Sequence, residues 1–151
     1  MTRVRTIAGA IVAACCASLI LLPAPAHAAS GSVHISKIYY DSPGSDRGSN
    51  TSLNAEYVRI TNTRDVAVSL KGWTLRDSAG HRYTFGTFTL AAGEYVTVRT
   101  GDGSNNRHNR YMGREWYVWN NDADRATLRR GSGTVVDVCS YDNDDRDYKN
   151  C

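Results

Sequence analysis

The stretch from Glu56 to Asp77 limits the fold of this chain more than any other. It reads E-Y-V-R-I-T-N-T-R-D-V-A-V-S-L-K-G-W-T-L-R-D. Val58 and Ile60 alternate with Arg59 and Thr61, and a period of two marks a strand with one dry and one wet face. Residues 66–70 form a second short apolar run containing Val66, Val68 and Leu70. The Asn, Thr and Asp side chains between the two runs offer oxygens that satisfy local backbone groups, as a turn requires. Gly72 then precedes Trp73, the largest apolar group nearby and the expected centre of a core.

The same grammar runs through the chain. Strands are expected near residues 33–40, 57–61, 66–70, 74–77, 82–85, 94–100, 116–119, 125–130 and 134–139. Turn signals such as Ser78-Ala79-Gly80-His81 and Gly131-Ser132-Gly133 separate them, and no long 3.6-period segment follows the first 28 residues. Short strands with turn signals every ~8–12 residues indicate an all-β antiparallel sandwich. Two sheets would also bury Trp73, Trp116 and Trp119. The first strand alternates imperfectly, with Val33 and Ile35 in one parity and Ile38 and Tyr40 in the other. Either it carries a bulge near Ser36-Lys37 or it pairs on both edges. Residues 41–54 and 101–114 read as long, exposed, mobile loops, and residues 141–151 as a polar tail.

Residues 1–28 have a different character. Arg3 and Arg5 precede a small, apolar run broken by Pro23 and Pro25, and Ala26-His27-Ala28 has the small-x-small form of a cleavage site. This is the pattern of a secretory signal, with residues 29–151 as one mature domain. The competing readings are a membrane anchor, for which the run is short, and a lipobox ending at Cys15. Without Arg3 and Arg5 the 18 basic residues fall by two, to 16 against 15 acidic ones. A near-neutral domain does not by itself predict a nucleic-acid partner, so only local clustering carries an electrostatic argument. Cys139 and Cys151 remain after processing, and an even pair in an exported protein reads as a disulfide.

The ordered set Glu56, Val58, Ile60, Asn62, Leu70, Gly72-Trp73, Leu75 and Asp77, followed by Leu90-Ala91-Ala92-Gly93-Glu94 and Trp119-Asn120-Asn121, resembles the lamin tail domain family. The resemblance implies an immunoglobulin-like antiparallel β-sandwich, of the secreted bacterial single-domain type. It also implies an interaction module rather than an enzyme: such domains contact proteins and DNA in nuclear lamins and accompany hydrolases in secreted bacterial proteins.

Direct reading of the chemistry agrees. Nucleophile-elbow, phosphate-loop and H-E-x-x-H signatures are missing, and His34, His81 and His108 have no close His or Cys partner. No catalytic residue, cofactor or metal site is expected. Glycosidase-type carboxylates are neither supported nor opposed. Asp142, Asp144, Asp145 and Asp147 have the oxygen density of a calcium loop without its order, which leaves calcium open. Arg107, Arg110 and Arg114 cluster in one long loop, and Arg125, Arg129 and Arg130 on a later strand. If these converge, they form a basic patch suited to phosphate contact beside aromatic side chains. The leading expectation is a secreted, extracellular module that binds a macromolecule (protein, polysaccharide or DNA) through its long loops. The alternative is a DNA-binding or nuclease-accessory module that uses the arginines. A lone edge strand leaves homodimer formation open.

Overall fold

A computed structural model describes residues 31–142 and 146–151. The expected signal segment, Cys15, and Asp144 and Asp145 of the acidic run lie outside the described residues. In chain order the elements are β1 (Val33–Tyr39), α1 (Asn50–Ala55), β2 (Tyr57–Asn62), β3 (Val68–Ser69), β4 (Thr74–Arg76), β5 (Arg82–Thr84), β6 (Thr89–Leu90), β7 (Tyr95–Arg99), β8 (Asn109–Tyr111), β9 (Ala123–Arg129), β10 (Val135–Asp142) and β11 (Tyr148–Asn150). A five-stranded sheet, β11-β1-β2-β7-β8, faces a four-stranded sheet, β10-β9-β4-β5, and β3 pairs with β6 in a small third sheet. All pairings are antiparallel except β7 with β8, which is parallel. The all-β sandwich is therefore observed.

The alternation read from the sequence fills the space between the sheets. Val58, Ile60, Val96 and Val98 from one sheet and Leu75, Ala126 and Leu128 from the other are fully buried. Trp73 and Trp119 lie in the same core. Trp73 follows a turn in which Gly72 has φ 78, a conformation that costs glycine nothing and most residues a good deal. The first strand does both things that its pattern left open. Its register shifts between Ile35 and Lys37, and it pairs with β2 on one side and β11 on the other. Where β11 stops, the Ile35 N–H donates instead to Asp137 Oδ2 of β10 at 2.7 Å, which stitches the two sheets along that edge.

Asn62 ends β2 and organises the turn after it. Its fully buried amide donates to the carbonyls of Val66 (2.9 Å), Leu90 (3.1 Å) and Ala91 (3.0 Å), and its Oδ1 accepts the Arg64 N–H at 3.1 Å.

Several local expectations are corrected. Residues 50–55 are helical: Ser49 caps α1 by accepting the Ser52 N–H, and Leu53 is buried. The strand expected at residues 66–70 shrinks to β3, with Val66 exposed. Residues 116–119 are not a strand, and Trp116 is on the surface rather than in the core. The 101–114 loop contains β8. Within the polar tail, Tyr141 is buried and stacks on Tyr40 with ring centroids 3.9 Å apart, and residues 148–150 form β11, which pairs with β1. The Cys139–Cys151 disulfide is formed and joins β10 to the residue after β11.

Candidate binding surfaces

One end of the sandwich is organised by a buried acid. Glu56 is fully buried where α1 meets β2. Its carboxylate accepts the N–H groups of Val118 at 3.1 Å and Trp119 at 2.7 Å. Burial pushes its pKa up to about 7, more than the nearby Thr100 hydroxyl and the two backbone donors pull it down, and Asp46 raises it further. This bond replaces the strand ladder expected for residues 116–119. An aromatic-rich run that bonds to a side chain instead of a neighbouring strand need not be extended. Tyr117 Oη and Ser52 Oγ lie 2.7 Å apart, so α1 holds the same segment from below.

The six candidate arginines do not converge. Arg107 pairs with Glu94 at 3.2 Å. Arg110 is opposite Val98 in register, so it points toward the sandwich interior; its guanidinium lies 4.0 Å from the Phe88 ring centroid and donates to Asn106 O and Asn109 O. It is a cover over the open edge of the core. Arg114 Nε is buried without a hydrogen-bond partner among the described residues. Arg130 lies 5.7 Å from the Trp73 ring, at the other end of β9 from Arg125.

Arg125 and Arg129 do join a patch, with two residues that the sequence reading missed. They stand on the outward parity of β9, beside Thr127. Arg76 of β4 is opposite Thr127 and also opposite Arg82 of β5. The outer face of the four-stranded sheet thus carries Arg76, Arg82, Arg125 and Arg129, and none of them forms an ion pair among the described residues. A hollow of ≈ 320 Å³ lies among Arg76, Arg125, Thr127 and Arg129. Its one carboxylate, Asp77, is buried and accepts from His81 and the Gly80 N–H. The signal was present in T-L-R and R-Y-T, where arginine alternates with a core residue.

The outer face of the five-stranded sheet is aromatic and cationic. Tyr39 stacks on Tyr57 and Tyr148, with centroids 5.5 and 6.1 Å away. Lys37 lies over Tyr148, and Arg59 over Tyr95 and Tyr57. These rings contact one another and the cations beside them, which stiffens the sheet. Of the histidines, His81 contacts Asp77 at 2.6 Å and His108 lies against Tyr95. Among the described residues no cluster of three or more His, Cys, Asp or Glu could hold a metal, and no helix is long and apolar enough to cross a membrane.

Two facing sheets, antiparallel apart from the β7–β8 pair, define an immunoglobulin-like β-sandwich. The sequence model of the Lamin Tail Domain family matches residues 26–143, nearly all of the sandwich. The chain belongs to that family. A search of curated proteins finds no match to it.

Proposed function

We propose that this protein is an exported, non-enzymatic module that binds an anionic extracellular macromolecule through the outer face of its four-stranded sheet. The supporting observation is the set Arg76, Arg82, Arg125 and Arg129, which shares one face with no carboxylate in ion-pair contact among the described residues. Neighbouring strands lie about 4.8 Å apart and alternate residues along a strand about 6.6 Å apart, a spacing that suits the repeated anions of a polymer backbone. Export rests on the leader pattern of residues 1–28.

Titration of the oxidised protein with labelled single- and double-stranded DNA and with heparin, at several salt concentrations, tests the reading. Binding by either polymer should weaken steeply with salt, by about 0.9 log units per log of salt for each phosphate neutralised on duplex DNA. An Arg76/Arg125/Arg129→Ala variant should abolish it, whereas Arg107→Ala should not. No binding to either polymer at low salt would end the proposal.

A further inference from the structure

We infer that the exposed Trp116 ring is a stacking platform for a neutral glycan, at a site separate from the arginine face. Trp116 is 62% exposed, while the residues on either side of it are held by hydrogen bonds. Glu56 binds the N–H groups of residues 118 and 119, Ser52 meets Tyr117 Oη, and the Arg114 N–H donates to Thr100 O at 2.9 Å. Its ring neighbour Tyr117 meets it nearly edge-on, at 74°, and among the described residues no ring stacks parallel to it. Gly48 is fitted against the six-membered edge of the indole: a Cβ there would come within 2.8 Å of Trp116 Cζ3, and its φ of +69° already favours glycine. An exposed aromatic ring, flanked by ordered residues and seated against Gly48, is therefore built into this end of the fold.

The ring stands between two hollows. One, of ≈ 250 Å³, is bordered by Asp46, Asn120 and Asn121. The other, of ≈ 330 Å³, is bordered by His81, Arg114 and Glu115. The Asn121 amide donates to Asp41 Oδ1 at 3.3 Å and Asp46 Oδ2 at 3.2 Å, so the planar polar groups on the first side are already ordered.

This combination fits a pyranose with equatorial substituents. Such a ring presents axial C–H bonds on its flat faces, which an indole covers well, and hydroxyls around its rim, which planar amides and carboxylates bind. Asp41 and Asp46 on the first side oppose a polyanion, and on the second side Glu115 stands with Arg114 and His81, so the site has no excess of positive charge to favour the ligand of the arginine face.

The oxidised protein is titrated calorimetrically with cellohexaose, chitohexaose and maltohexaose, with tryptophan emission recorded alongside. Cellohexaose or chitohexaose should bind and shift the emission. Trp116→Ala should weaken that binding on the order of tenfold or more. Gly48→Ala should weaken it too, by displacing the ring. Trp116→Ala should keep the wild-type melting temperature, since little of the ring is buried, so lost binding would not be lost folding. Failure of both β-linked oligosaccharides to bind at millimolar concentration overturns the inference. Equal binding by Trp116→Ala overturns it also, as does loss of DNA affinity in that variant without any glycan response.

Discussion

Glu56 on one side of the core accepts the Trp119 N–H at 2.7 Å across 63 residues of sequence. The contact ties the end of α1 to the segment that carries both the buried Trp119 and the exposed Trp116. It also places a carboxylate where its charged form is disfavoured.

The first prediction concerns pH. The folded pKa of Glu56 is about 7, against an ordinary 4.5. Between those values the folded state holds a proton that the unfolded state has lost. The resulting stabilisation is full below about pH 4.5 and is lost as pH rises through about 7, a change on the order of 3 kcal/mol. Glu56→Gln should remove that part of the pH slope. Urea unfolding of both proteins from pH 4.5 to 8 measures the difference between them, in which the titrating groups remote from Glu56 largely cancel.

Asn62 gives a second test. Its amide faces three carbonyl oxygens. Asn62→Ala should cost about 2–4 kcal/mol through lost bonds and orphaned buried carbonyls. Asn62→Asp should be worse at pH 7, because a carboxylate would meet the same three acceptors, and should recover partly in acid. Thermal melts of the two variants at pH 7 and pH 4 give the ranking.

A third prediction separates the two arginine groups. Arg110→Ala should destabilise the fold by roughly 1–2 kcal/mol, through lost cover and cation–π contact over Phe88, and leave polyanion affinity nearly intact. Arg76→Ala should do the reverse, since exposed substitutions usually stay within about 0.5 kcal/mol. Denaturant melts and salt-dependent binding on the same samples decide the matter.

The disulfide supplies the fourth. The 12-residue separation of Cys139 and Cys151 corresponds to about 3 kcal/mol on loop-entropy grounds. A Cys139→Ser/Cys151→Ser variant should lose about that much. Amide exchange should quicken first at residues 148–150, whose pairing with β1 rests on so few bonds.

What could be read from the sequence followed from periodicity and turn chemistry. Val58 and Ile60, or Ala126 and Leu128, announce their faces because every second residue is apolar. Gly72-Trp73 and the Asn62 turn were legible for the same local reasons. Helix α1 was not, because N-T-S-L-N-A has one large apolar residue in a turn and a half and so no period to detect; only the Ser49 cap hinted at it. β8 and β11 are three-residue edge strands whose pairing is decided by neighbours far along the chain. Trp116 is expected between the sheets because its segment reads as a strand, and nothing local says that residues 118 and 119 would bond to the Glu56 carboxylate instead of to a neighbouring strand. Arg76 and Arg82 do not cluster along the sequence with Arg125 and Arg129; the sheet brings them together across strands.

The cystine also decides how the domain would carry tension. β11 is short and meets β1 at only three residue pairs, so a pull on Cys151 would peel it away one pair at a time. The sulfur bridge sends that force past β11 into Cys139, midway along the eight-residue β10. There the load meets a long antiparallel ladder with β9 and spreads over many bonds at once. A molecule tugged at this end would keep its sandwich closed until the longest strand pair gave way.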